Sequence, residues 1–473
     1  MTHFGILCLG ATGHLNTMFP LGHELQRRGH RVTVFSKLDV QFKAQAAGFN
    51  FCDIYFHSDR TKKQQQNPAT KAGQLTNLIN IQRTLKKFAQ NADTRLQKAP
   101  PVIREWGVEA LIIDLSIFEG GTIADYLNLP YITMCCLLPF YQDLTIPPIS
   151  TTWQYNLATW AQIRNRIAYS FLNFMAQPVW QVVSRYRQMW NLPAYTHPND
   201  IFSKLAIITR HIREFEFPRQ LPPHFYFTGA FHQSMATQPI AFPFERLDGR
   251  SLIYASMGTV QNRFGFVFRT IAEACASLDN QLVISLGGGL EPEAFSNLPG
   301  NPIVVKYAPQ LELLQKASLN ITHAGLNTTL ESLSYGVPMV AIPITDDQPG
   351  VAARIRWTGT GELVTLSQLS VSKLRRAIQR VLTEESYKQN AVRFKEVMRQ
   401  TGGVNRAADI IEQAISTRSS VSGCDRLLWL RSQNLFKPLF YAIAAILIAG
   451  GEAKEGDDTK WIEVIRSKAA AVL

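Results

Sequence analysis

Residues 319–348 read LNITHAGLNTTLESLSYGVPMVAIPITDDQ. An apolar, β-branched run at 319–322 gives way to His323 and Gly325, and a segment of helical period then begins near Asn327 and runs to about Tyr335. Gly336 supplies a helix stop, and Pro338 leads into a second apolar run at 339–342. Strand, helix and strand in that order form the repeating unit of a parallel α/β sheet. In such a unit the helix starts at the carboxyl edge of the sheet, where its free N–H groups and its macrodipole favour an anion such as pyrophosphate. Gly325 lets the backbone approach closely, while Asn327 and Thr328 add side-chain hydrogen bonds. Thr328 and Glu331 also have the spacing of a capping box, which by itself gives both a structural role.

The alternation extends in both directions. Apolar runs at 252–255, 282–286 and 303–305 precede this unit, and 4–9, 32–35, 110–113, 131–134 and 205–208 supply the first half of the chain. Between the halves, 233–250 carries Pro239, Pro243 and Gly249 without periodicity and reads as a linker. The fold class expected is therefore α/β, with two facing Rossmann-like doubly wound domains at 1–232 and 251–416 and an appendage at 417–473. In such sheets ligands bind beyond the carboxyl ends of the strands. Region 139–190 is rich in rings, among them Phe140, Trp153, Trp160, Phe174 and Trp190, which either pack the body, line an apolar acceptor site or meet a membrane. The apolar run at 439–449 has eleven residues, short of the ~20 that span a bilayer. It is expected to lie in a membrane interface or to pack on the body.

At 473 residues the chain can hold two or three domains, and its 46% hydrophobic and 18% charged content is that of a folded, soluble protein. The net charge of +12 is spread over pairs such as Arg27-Arg28, Lys62-Lys63 and Lys86-Lys87, which disfavours nucleic acid and suits an anionic lipid or a diphosphate. Six cysteines (Cys8, Cys52, Cys135, Cys136, Cys275, Cys424) show neither CxxC spacing nor a Cys/His cluster, against zinc or a disulfide framework. No secretory signal is visible at the N-terminus, so a cytoplasmic protein is expected, with contact to the cytoplasmic face of a membrane as a further expectation.

A capping box does not explain Tyr307-Ala-Pro-Gln310 upstream, His323, or Asp346-Asp347-Gln348 after the following strand. Together these residues resemble the donor-binding signature of the family 1 UDP-sugar glycosyltransferases, and the continuation through Arg354 is most similar to bacterial members that glucosylate a carotenoid. The resemblance runs from about residue 4 to 415. It implies the GT-B glycosyltransferase fold and transfer of a hexose, glucose by preference, from a UDP-sugar co-substrate to a hydroxyl of a lipophilic small molecule. Tyr307 stands where the family usually has a tryptophan that stacks on uracil, and a phenol still offers a stacking face. By the same resemblance Gln310 closes the base pocket, His323, Asn327 and Thr328 contact the diphosphate, Glu331 contacts the ribose, and Asp347 with Gln348 contacts the sugar. The turn at Ser256 to Thr259 places Gly258 and Thr259 near the phosphates.

Transfer to an alcohol requires a base for the hydroxyl proton. His14 follows the first apolar run and the turn Gly10-Ala-Thr-Gly13, and a loop position there would leave it accessible to solvent; Gly13 joins the donor-binding set. The resemblance makes His14 the general base. Asp114, at the end of run 110–113, emerges on the same sheet edge and is the partner that would hold the imidazole, with Asp125 as a structural alternative. This pair implies direct inverting displacement. No Asp-x-Asp motif is present, so neither a metal nor another cofactor is expected. A dinucleotide oxidoreductase fits poorly, because Asn16 stands at the third glycine position and the run at 32–35 ends in Ser36-Lys37. A non-catalytic protein or a nucleotide-sugar epimerase of the same fold remains the alternative.

Overall fold

The computed structural model describes residues 1–55, 74–231 (side chains from 85), 240–259 and 264–417. The first domain runs β1 (His3–Leu7), α1 (Thr12–Arg27), β2 (Arg31–Ser36), α2 (Gln41–Ala46), β3 (Asn50–Asp53), α3 (Gln74–Glu105), β4 (Ala110–Asp114), α4 (Gly120–Leu127), β5 (Tyr131–Cys135), α5 (Thr159–Met175), α6 (Gln177–Met189), β6 (Ile207–Thr209) and β7 (Phe225–Phe227). The second runs β8 (Leu252–Ser256), α7 (Gly265–Cys275), β9 (Gln281–Ser285), β10 (Ile303–Val305), α8 (Gln310–Lys316), β11 (Ala317–Thr322), α9 (Leu326–Ser334), β12 (Met339–Ala341), α10 (Gln348–Trp357), β13 (Gly361–Leu363), α11 (Val371–Thr383), α12 (Glu385–Arg399) and α13 (Gly403–Thr417).

Every strand pair is parallel, in the orders β3-β2-β1-β4-β5-β6-β7 and β10-β9-β8-β11-β12-β13. Strand order reverses between β1 and β4 and again between β8 and β11, so each sheet opens a crevice beyond the carboxyl ends of those two strands. The central strands are buried on both faces and therefore read as unbroken apolar runs, as in β1, β4 and β8. β3, β7 and β13 were not expected. Each sits at a sheet edge, is only three or four residues long and is half-exposed, so its sequence carries no such run.

The domain boundary is also refined. Residues 403–416, grouped with the second domain by sequence, return to the first: Val404, Ala407, Ala408 and Ile411 of α13 share a core with Ile6, Leu15 and Phe19. Arg28 reinforces this return by pairing with Asp409 and Glu412, each at 2.6 Å. Of the expected linker only 240–250 is described, and the appendage past 417, with its run at 439–449, lies outside the described residues. Among the described residues no helix is long and apolar enough to cross a membrane.

Helix α10 clamps the domains together. Leu138 N donates to Asp347 Oδ2 at 2.9 Å, Gly350 N donates to Ile149 O at 2.8 Å, and Arg354 Nε donates to Glu216 Oε1 at 2.9 Å. Burial alone would raise the Glu216 carboxyl, but Arg219, Arg354 and His211 outweigh it and hold the group well below the usual carboxylate range. Gly350 is required by space, since a Cβ there would stand 2.5 Å from Ile149 O. In urea denaturation Gly350→Ala should cost about 1–3 kcal/mol through overpacking. Glu216→Ala should cost about 3–5 kcal/mol by stranding buried Arg354. Wild-type unfolding free energies in both variants would show that α10 is not a clamp.

Candidate active site

Beyond β1 and β4 the first crevice is built around one polar pair. His14 Nδ1 lies 2.5 Å from Asp114 Oδ2. Asp114 is fully buried, and it also accepts from Ser116 N at 3.0 Å and from Leu9 N at 3.4 Å. An ionised carboxylate only accepts, so Nδ1 carries the proton and Nε2 is left with its lone pair for a substrate. His14 is not the accessible loop residue expected from sequence. It lies in the first turn of α1 and is 7% exposed, because the helix starts as soon as the chain leaves the turn after β1. Burial, the largest single influence, lowers its pKa, but the charge and hydrogen bond of Asp114, aided by Asp347, prevail, and the net direction is up. Asp125 takes the structural role, accepting from Arg187 Nη1 at 2.7 Å.

The second domain presents the N-terminus of α9 to this pair. Asn327 Nδ2 donates to Gly13 O at 3.1 Å, which ties the turn before His14 directly to the helix. Gly13 contributes its carbonyl rather than its missing side chain, since a Cβ there would meet only Asn327 Nδ2 at an ordinary 3.6 Å. Arg210, just past β6, donates through Nη2 to Asn327 Oδ1. His323 is packed between two glycines: a Cβ on Gly258 would come within 2.6 Å of its ring and one on Gly325 within 2.4 Å. Gly258 also has φ +74, which favours glycine. Burial pushes His323 down to about 4, so the ring is neutral, and its buried Nδ1 has no hydrogen-bond partner among the described residues. Thr259 lies exposed beside Gly258.

Past β10, Tyr307 is 49% exposed and its ring backs onto Gly288, where a Cβ would strike its hydroxyl. Gln310 links the motif internally. It donates to Glu331 Oε2 and, at 3.4 Å, to Thr328 Oγ1, and it accepts from the Tyr254 hydroxyl at 3.2 Å. The expected capping box is therefore absent. Gly325 is the N-cap, without a side-chain hydrogen bond, Thr328 lies inside the first turn, and Glu331 turns to Gln310 instead. Burial raises the Glu331 carboxyl against the opposing effects of Gln310 and Arg210.

Asp347 and Gln348 open α10 and are buried. One Asp347 oxygen is taken by Leu138 N, and burial raises the group to about 6. Gln348 Oε1 accepts from Ile344 N at 2.9 Å and Thr345 N at 3.1 Å, leaving its amide nitrogen as the polar atom it can offer. Sequence reasoning missed Arg210. Its signal was its place directly after the run at 205–208, at the carboxyl edge where ligand residues gather.

His14, Asp114 and Cys136 bring potential ligand atoms within 4.8 Å of one another. His14 Nδ1 and Asp114 Oδ2 are already at hydrogen-bond distance, too close to admit an ion between them, and burial raises the Cys136 thiol well above its ordinary value.

Comparisons with known proteins bear on the family and the fold. Zeaxanthin glucosyltransferase from Pseudescherichia vulneris is 31% identical, with 89% of this chain and 100% of that protein covered. The zeaxanthin glucosyltransferase of Pantoea ananas is 28% identical, covering 89% and 98%. The calicheamicin glycosyltransferase CalG4 superposes with a TM-score of 0.67 at 20% identity, over 89% of this chain and 99% of its own, and shares the GT-B fold. Residues 120–402 match the family described as UDP-glucoronosyl and UDP-glucosyl transferase. The chain belongs to that family and is a UDP-sugar glycosyltransferase.

Proposed function

We propose that this enzyme transfers glucose from UDP-glucose, with inversion, to a hydroxyl of a lipophilic small molecule such as a carotenoid. The observation that carries this reading is the His14–Asp114 pair set against the N-terminus of α9, with Gly13 O and Asn327 joining the two. The acceptor hydroxyl gives its proton to His14 Nε2 as its oxygen bonds to the anomeric carbon, and the bond from that carbon to the β-phosphate oxygen breaks. Asp114 stabilises the imidazolium formed, while the α9 N–H groups and neutral His323 meet the charge on departing UDP. One-step displacement of an α-linked donor gives a β-glycoside.

Tyr307 offers an open ring face for uracil, Glu331 a carboxyl for the ribose, and Asp347 and Gln348 polar atoms for the sugar. Glucose and the apolar acceptor are supported by the two zeaxanthin glucosyltransferases. Contact with the cytoplasmic face of a membrane is supported by α5, which exposes Trp160, Ile163 and Phe174 at helical spacing with Leu157 just before it. Arg164 adds a cation against Trp153 and Trp160, at 4.4 and 5.2 Å from their rings.

Incubation with labelled UDP-glucose and hydroxylated carotenoids should yield a β-glucoside by NMR, unaffected by a chelator. His14→Ala should slow transfer about 10²–10⁴-fold; a variant as active as wild type would refute the base assignment, and donor conversion without acceptor would favour an epimerase. In co-sedimentation with anionic phospholipid vesicles, Trp160→Glu with Ile163→Glu should sharply reduce the bound fraction while UDP affinity is retained. Equal binding by wild type and variant would remove α5 from the membrane contact.

A further inference from the structure

Arg210 is a buried cation at the domain junction that the reaction outlined above leaves without a task. It is 4% exposed, at the carboxyl edge of the first sheet, yet its side chain reaches the helix start of the second domain and donates to Asn327 Oδ1. Its Nε is buried and has no hydrogen-bond partner among the described residues. No carboxylate hydrogen-bonds to it among the described residues; Phe231 lies 5.6 Å from its guanidinium. Burial, the largest influence on Arg210, disfavours its charged form, with Cys136 and Glu331 acting in the opposite sense. Keeping a guanidinium out of water without a bonded counter-ion is costly, so a site built this way is completed by an anion. The helix N-terminus beside it favours an anion for independent reasons.

We propose that Arg210 is a catalytic residue that contacts the donor diphosphate and takes up the negative charge developing on UDP as it departs. The proposal rests on the donor reading above. As the acceptor oxygen bonds to the anomeric carbon and its proton moves to His14, the electron pair of the breaking bond stays on the β-phosphate oxygen, where the guanidinium meets it. Because Arg210 belongs to the first domain and α9 to the second, the diphosphate is held by both domains at once. The bond to Asn327 keeps the guanidinium at the helix start rather than in solvent. A residue serving only to tether Asn327 would need a donor but no charge, which Gln supplies.

The test is calorimetric titration of the full-length protein with UDP and with uridine, alongside steady-state transfer. Wild type should prefer UDP strongly. Arg210→Gln should lose at least tenfold in UDP affinity with uridine affinity within twofold of wild type, and kcat should fall on the order of 100-fold, with Arg210→Lys intermediate. A Gln variant that keeps the wild-type UDP-to-uridine ratio overturns the proposal and leaves the donor reading intact, whereas wild-type protein that binds UDP no better than uridine overturns both. Should the Gln variant fail to fold, a crystal structure of the wild-type UDP complex decides: a guanidinium nitrogen within about 3.5 Å of a phosphate oxygen is expected, and separation by an intervening side chain overturns the assignment.

Discussion

The hydrogen bond between His14 Nδ1 and Asp114 Oδ2 imposes its geometry on the rest of the molecule. A carboxylate as deeply buried as Asp114 is tolerated only when its oxygens are partnered, and three donors from two loops and a helix converge on it. That convergence requires β1 and β4 to be neighbours, α1 to begin directly after the turn following β1, and the strand order to reverse between them. A doubly wound sheet meets all three requirements, because its switch point parts the loops while keeping the strands paired. The pair therefore lies where the fold leaves a crevice.

A second constraint is that this pair must face the other domain at a fixed distance. Among the described residues, polar contacts from two helices help set that distance. Asn327 of α9 meets Gly13 and Arg210 next to His14, and α10 is clamped through Leu138, Ile149 and Glu216. Both helices begin at the carboxyl edge of the second sheet, so the elements proposed to present the donor residues also join the domains. Asp347 shows the consequence: one of its oxygens binds the first domain.

Much of this was legible in the sequence, for identifiable reasons. Central parallel strands are apolar on both faces, so β1, β4, β8 and β11 declared themselves, and the residues just after them, His14, Asp114, Gly258 and His323, could be placed at the crevice without coordinates. Edge strands β3, β7 and β13 carry no such signature. The return of α13 to the first domain is a long-range packing choice invisible to local periodicity. Thr328 and Glu331 have the right spacing for a capping box, but Gln310, distant in sequence, competes for the Glu331 carboxylate. Arg210 was overlooked because a lone arginine in a basic chain has no local mark of burial.

The proposed coupling of His14 to Asp114 is tested most directly by the pH dependence of kcat/KM for wild type and Asp114→Asn. In wild type the active form has neutral His14, whose pKa lies above the ordinary 6.5, so the rate should fall as pH drops through that raised value. Removing the Asp114 charge leaves burial to dominate. The acid limb should then move to lower pH, with a reduced plateau from the disturbed tautomer. An acid limb that stays in place, or a plateau equal to that of wild type, would contradict the assignment of His14 and Asp114 as a coupled base.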